Sequence, residues 1–328
     1  MSASATALDA IVEELQQATK LLVTTHENPD GDALGSLLAF DEMMRALGKD
    51  TIMFMSATNF PLPHESQHQP LEAVQNEPPP DMEERTAVFL DCGNIDRMPV
   101  DFLRTEGIKV LNIDHHHDNT RFGTVNLVDV DASCTAAIVY ELAGLLGVPL
   151  TPEIASALYV GLVTDTGKFM YQNVDARSHR MAASLIEAGV DVHDTYRRLY
   201  ERVPLEKLRL VARALEGIEI HDDGALAVTH ITKEDYADTG ASEVLTEGIV
   251  DYLRTIDGVA VAVVVRDQSE SGRAAHKVSL RSTDGRVDVS EIARKHGGGG
   301  HTRAAGFGTD MDYAQVVDFL RSEIAAQI

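Results

Sequence analysis

Cysteine occurs only twice, as Cys92 and Cys134. Two thiols cannot build a disulfide framework, and such sparse use suits a reducing compartment. Basic residues are also scarce: Lys and Arg total 28 against 52 Asp and Glu, a formal net charge of −24. A surface that negative argues against wrapping long duplex nucleic acid, which needs a positive footprint. It does not exclude a short anionic substrate held by metal ions and a few local cations. The longest apolar run, residues 259–265, is far too short to span a bilayer. The first residues, Met-Ser-Ala-Ser-Ala-Thr, lack the basic start of a signal peptide. A cytoplasmic protein with no membrane partner is therefore expected. There is no internal repeat and no low-complexity tract. What is present is an ordinary globular composition, 44% hydrophobic and 24% charged over 328 residues, enough for about two domains.

Strand-like and helix-like segments alternate over the first two-thirds of the chain. Residues 21–25, 51–55, 87–90 and 110–113 are short apolar, β-branched runs. A helical pattern covers about 33–47 and stops at Gly48. Ser133 could cap a helix running to 146, and Pro152 could sit in the first turn of the next. This alternation predicts parallel βαβ construction. Segment 57–85 holds six of the eleven prolines and has no sustained period, so it reads as an exposed loop between strands. Helical patterns crowd 177–217. Beyond them, strands are expected at 225–231, 259–265 and 277–280, with helices near 243–253, 290–295 and 312–325, as a smaller mixed α/β domain.

Metal-type residues recur where the apolar segments end. His26, Asp30 and Asp32 follow the first; Asp91 follows the third; Asp114-His115-His116-His117 follows the fourth; Asp165 follows a later apolar segment. If each is a strand end, a parallel sheet gathers them along one edge, where ligands bind. A lone aspartate there is usually a cap or turn residue, but the four-fold recurrence points to a site. Carboxylates packed together repel each other and lose hydration. Asp30, Asp32, Asp91 and Asp165 carry four negative charges, which two divalent ions would balance. Mixed Asp and His donors suit Mn²⁺ or a similar first-row ion better than Ca²⁺. Cys92, beside Asp91, reads as a small buried residue rather than a nucleophile.

A second cluster runs from His296 through Gly297-Gly298-Gly299-Gly300 to His301, Thr302 and Arg303. Consecutive glycines let backbone N–H groups approach an anion. His301 and Arg303 add donors, and Arg281 and Ser282, ending a strand-like run, could reach the same place.

Taken in order, these motifs resemble those of the DHH phosphoesterase superfamily: His-x-x-x-Asp-x-Asp over 26–32, Asp91, Asp114-His115-His116 and Asp165. The Gly-Gly-Gly-His block ending at His301 resembles the signature of the associated DHHA1 domain. Size and domain pairing are most similar to the NrnA group of bifunctional oligoribonucleases and pAp phosphatases. The resemblance covers nearly the whole chain. It implies an α/β fold: a parallel-sheet DHH catalytic domain over 1–195, a helical linker over 196–217 and a smaller mixed α/β DHHA1 substrate-binding domain over 218–328. It implies two Mn²⁺, with Mg²⁺ or Co²⁺ as substitutes. His26, Asp30 and Asp91 would hold one ion, and Asp32, Asp91, His115 and Asp165 the other. Asp114 would orient its neighbours, and His116 would contact the scissile phosphate or its leaving oxygen. Arg281, Ser282, His301 and Arg303, beside Gly298, Gly299 and Gly300, would hold the rest of the nucleotide.

The implied reaction is hydrolysis of short oligoribonucleotides to 5′-mononucleotides, and of pAp to AMP plus phosphate, by metal-activated water. A homodimer is implied as well. A cyclic di-AMP phosphodiesterase is the nearest alternative. A RecJ-like single-strand exonuclease would need a basic groove and further domains. A family II pyrophosphatase would lack the glycine–histidine block. A non-catalytic nucleotide sensor would be expected to have lost ligands, and none is missing.

Overall fold

A computed structural model of the protein describes residues 3–56, 62, 71, 77–98, 101–104, 107–268 and 274–328. The chain divides into two units, Met1–Arg202 and Val203–Ile328. In the first, α1 (Ala3–Gln17) is followed by β1 (Lys20–Thr24), α2 (Gly31–Ala46), β2 (Asp50–Phe54), β3 (Thr86–Leu90), β4 (Val110–Asp114) and β5 (Val125–Val128). Then come α3 (Thr135–Leu146), α4 (Pro152–Asp165), α5 (Ala176–Glu187) and α6 (Val192–Tyr196). The five strands are all parallel, in the order β2-β1-β3-β4-β5.

Period-two alternation divides the strand side chains between two cores. Leu21, Val23, Val88, Leu90, Leu111 and Ile113 join the apolar residues of α2, α3 and α4. Leu22, Ala87, Phe89 and Val110 face a smaller cluster with Phe54, Met82, Met98 and Leu103. Short apolar strands buried on both faces are what parallel sheets require. Helix α2 ends as expected before Gly48, which takes φ +75°. Pro152 opens α4, with Thr151 as its side-chain cap. Ser133 is not the cap of α3. That position belongs to Cys134, which makes no side-chain cap bond. Most of the proline-bearing segment 57–85 lies outside the described residues.

The second unit contains α7 (Leu205–Glu216), β6 (Glu219–His221), β7 (Leu226–Ile231), α8 (Lys233–Thr239), α9 (Ile249–Leu253), β8 (Val261–Asp267) and β9 (His276–Ser282). It ends with α10 (Val289–Arg294), β10 (Gly299–His301), β11 (Ala304–Thr309) and α11 (Tyr313–Ala325). Its mixed sheet runs β10-β11-β9-β8-β7-β6 and is covered on both faces. Leu210, Val211 and Ala214 of α7 join the core on one of them. The single helix expected over 243–253 is broken by Gly248 at φ +81° into a 3₁₀ turn and α9. Among the described residues no helix is long and apolar enough to cross a membrane.

Candidate active site

Strand order positions the first site. The chain runs outward in opposite directions from the neighbouring pair β1 and β3, and such a switch point opens a crevice beyond the strand ends. His26 lies just past β1 and Asp91 just past β3, so the two flank that crevice. Asp114 is the last residue of β4, followed by His115 and His116. All five are buried. Asp91 takes φ +56°, a left-handed conformation that aspartate tolerates better than most residues.

Three groups of converging donors share Asp91: His26, Asp30 and Asp91; Asp32, Asp91 and His115; and Asp91, Asp114 and His116. His26 Nε2 is 3.7 Å from Asp91 Oδ2. His115 Nε2 lies 3.6 Å from Asp91 Oδ1, 3.8 Å from Asp165 Oδ2 and 3.9 Å from Asp32 Oδ2. These gaps exceed hydrogen-bond reach. They approach the roughly 3–3.5 Å that separates two ligands of one cation at about 2.0–2.2 Å. The donor set therefore fits divalent ions.

The elements around the crevice hold these carboxylates in place. Asp30 is the N-cap of α2, as the simpler reading of a lone aspartate holds, accepting from the N–H groups of Asp32 and Ala33 through Oδ1. Asp32 accepts from Thr135 N at 2.7 Å and Ala136 N at 2.9 Å, so a carboxylate from α2 caps α3 where Cys134 cannot. Thr135 Oγ1 donates to Asp91 Oδ1 at 2.9 Å. Asp165 is not at a strand end: it closes helix α4, and Asn173 Nδ2 donates to its Oδ2 at 3.2 Å.

Close passage of α2 over α4 brings Asp32 to this place. A Cβ on Gly161 would lie 2.8 Å from Asp32 Oδ1 and 2.7 Å from Ala136 Cβ. Gly161→Ala is expected to cost about 1–3 kcal/mol of stability by overpacking. It should also weaken cation binding about 10–100-fold, as loss of a supporting contact does. Denaturant unfolding and metal titration check both.

Asp114 organises the triplet. Its Oδ1 accepts from His115 N at 2.8 Å and faces His116 Nδ1 at 2.7 Å, while Oδ2 accepts from Asn119 Nδ2 at 2.5 Å. With Nδ1–H donated to Asp114, His116 carries Nε2 on the opposite side of its ring. Nothing in the sequence marked Asn119, Thr135 or Asn173, which are single polar residues distant in the chain from the groups they hold.

The electrostatics are those of a crowded acidic pocket. Burial, then Asp91, Asp165 and Asp30, raise Asp32 well above the usual carboxylate range. Burial opposes the charge of Asp91, yet His26, His116 and His115 hold it well below that range. Burial also opposes the charge of His116, but Asp114 and Asp91 outweigh it and raise the imidazole to about 9. Loss of hydration, reinforced by Asp30 and Asp91, pushes Asp165 up to about 6. Cys92 is buried and pushed up to about 12, which leaves it protonated and unsuited to nucleophilic attack.

The Asp165 shift has two consequences. Below about pH 6 Asp165 holds a proton that a cation must displace, so Mn²⁺ affinity should fall as pH drops through about 6. In the metal-free protein the folded state binds that proton more tightly than the unfolded chain, so stability should rise as pH falls through the same value. Calorimetric titration and thermal melts test both; affinity unchanged across that pH would remove Asp165 from the cation site.

In the second unit, β10 and β11 form a hairpin that pairs His301 with Ala304, and Ala304 pairs with Arg281 on β9. Ser282 N donates to Arg303 O at 2.9 Å. Arg281, Ser282, His301 and Arg303 thus meet at one end of three strands. The glycine block runs into a strand. Gly299 and Gly300 lie in β10, and Gly300 takes φ +135°, where a Cβ would lie 2.3 Å from Ala304 O. A cavity of about 160 Å³ in this unit is lined by Arg281, Arg266, Lys277, Ser279 and Gly306, among others. Nothing in the sequence marked Arg266 and Lys277, which stand on different strands.

Residues 20–162 match the N-terminal domain of the DHH family, and residues 224–328 match the DHHA1 domain. A bifunctional oligoribonuclease and PAP phosphatase NrnA of Thermus thermophilus is 36% identical over 96% of this chain and 94% of its own. The chain belongs to the DHH family. A second NrnA, from Bacillus subtilis, is 28% identical over 87% of this chain and 88% of its own. An exopolyphosphatase-related protein from Bacteroides fragilis superposes with a TM-score of 0.87, at 23% identity, covering 98% of this chain and 96% of that one. As a DHH-family protein with a DHHA1 domain, it is a hydrolase of phosphoester bonds.

Proposed function

We propose that the protein hydrolyses short oligoribonucleotides, pApA among them, to 5′-mononucleotides and pAp to AMP plus phosphate. The observation that carries this reading is that the His26–Asp30 and Asp32–His115 donors share Asp91, set beside the Asp114-held His116. The names of the Thermus and Bacillus relatives point to the same substrates. Residues 1–195 would carry catalysis, 196–217 would connect, and 218–328 would hold the substrate.

Two Mn²⁺, with Mg²⁺ or Co²⁺ as substitutes, suit the mixed donors: His26, Asp30 and Asp91 for one, Asp32, Asp91, His115 and Asp165 for the other. When bound, such ions supply an activated water and neutralise charge on the phosphoryl oxygens. The chain's own groups do the rest. Asp114 keeps the Nδ1 proton of His116 engaged, which directs the Nε2 proton to the leaving oxygen. The Thr135 and Ala136 N–H groups and the Thr135 hydroxyl keep Asp32 and Asp91 from rotating away. Arg281, Ser282, His301 and Arg303, with the backbone of Gly298, Gly299 and Gly300, would grip the remainder of the nucleotide. A net charge of −24 favours short substrates, since few phosphates can be met by so few local cations.

The test is a comparison of kcat/KM at fixed Mn²⁺ for pAp, pApA, cyclic di-AMP and di- to pentanucleotides. Turnover of pAp and of the short linear oligonucleotides is expected. Hydrolysis of cyclic di-AMP alone, or of none of the four, would overturn the reading.

A further inference from the structure

A second convergence of ligand-type side chains lies in the C-terminal sheet, on residues the phosphoester chemistry does not use. His230 is on β7, Asp267 on β8 and His276 on β9. Asp267 pairs directly opposite His276, and His230 opposite Val265, two residues before Asp267. The three therefore project from one face of three adjacent strands. They continue rows whose inner members, Val228, Val265 and Val278, belong to the apolar core.

Their atoms are already gathered. His230 Nε2 is 2.8 Å and His276 Nε2 is 3.2 Å from Asp267 Oδ1, and the three donor atoms lie within 4.8 Å of one another. Supporting contacts orient them. Asp267 Oδ2 accepts from Lys233 N at 3.0 Å, which leaves Oδ1 to the imidazoles. The His230 ring stacks on Tyr313 with centroids 4.6 Å apart and planes 10° from parallel. The Tyr313 hydroxyl is itself tied to Glu219 Oε1 at 2.9 Å. Ligands held in this way by outer contacts are a mark of metal sites. The arrangement is also costly without an ion. His276 Nδ1 is buried and has no hydrogen-bond partner, while its Nε2 faces an oxygen it shares with His230.

We propose that His230, Asp267 and His276 bind one first-row divalent cation of the zinc class through the two Nε2 atoms and Oδ1, with a further position open to water. Two imidazoles and one carboxylate favour Zn²⁺-like ions, whereas four carboxylates dominate the catalytic pocket. An ion here would clasp β7, β8 and β9 together and, through Tyr313, the start of α11.

Full-length wild type, His230→Phe and His276→Gln should be stripped with chelator, loaded with Zn²⁺ and Mn²⁺ together, and freed of excess metal by gel filtration. Phenylalanine keeps an aromatic ring against Tyr313 while removing the donor. Total divalent metal per chain is then counted by mass spectrometry, a measure insensitive to exchange between ions at the catalytic pocket. Each variant is expected to hold one ion fewer than wild type, with phosphoester hydrolysis unchanged. Equal metal content in all three overturns the proposal. If circular dichroism shows one variant unfolded, the other decides. If both unfold, the ring resonances of His230 and His276 in wild type decide: Zn²⁺ must shift them, and unshifted signals end the case.

Discussion

Asp91→Asn is expected to lower phosphoester hydrolysis by about 10³-fold or more, at the upper end of what one electrostatic group contributes, while the fold persists. Asp91 alone belongs to both the His26–Asp30 and the Asp32–His115 donor groups, and its carboxylate is the centre on which His26, His115 and His116 converge. Asparagine keeps the size, can still accept from the Thr135 hydroxyl, and tolerates the left-handed φ of +56°. It removes the charge and one acceptor oxygen, so the loss measures cation binding and not misfolding. Asp30→Asn should do much less, because Asp30 is exposed, serves one group, and retains its capping oxygen. Initial rates, metal content and circular dichroism on both variants make the check. Near-native turnover of Asp91→Asn with full metal content would dismantle the shared-carboxylate arrangement.

His116→Gln should slow hydrolysis of pAp and pApA by about 10²–10⁴-fold, the range for a lost general acid. A substrate with an activated aryl leaving group should suffer far less, because its leaving oxygen needs no proton. Burial works against the charged ring, but Asp114 at 2.7 Å and Asp91 hold the imidazole protonated up to about 9. Wild-type activity on nucleotides should therefore fall as pH rises through about 9, and the variant should lack that limb. Equal losses on both substrate types would leave His116 as a binding group and remove it as the proton donor.

Much of the candidate site was legible because its residues belong to short motifs. His26, Asp30 and Asp32 lie within seven positions, and Asp114, His115 and His116 are consecutive. Asp165 was placed among the candidates but on the wrong element. Residues 158–163 are buried without interruption, and an apolar run with no polar break does not distinguish a strand from a buried helix. Gly299 and Gly300 read as a close backbone approach to an anion, but the sequence did not show that both also pair in β10, where glycine allows another backbone to come close. Asn119, Thr135 and Asn173 carried no signal. Each is an ordinary polar residue whose partner is chosen by packing. The His230, Asp267 and His276 cluster escaped for the same reason: three separate segments contribute one residue apiece.

By itself the sequence determined the residue types, their order along the chain, the acidic balance and the family. It did not determine which donors share an ion. That depends on β1 pairing with β3 across more than 60 positions while β2 takes the edge, which sets His26 and Asp91 on either side of one crevice, and on the α2–α4 crossing that carries Asp32 toward Asp165. Only the tertiary structure decides such contacts, because pairing between distant strands and helices is selected by the burial of whole faces, and no local run of residues encodes it.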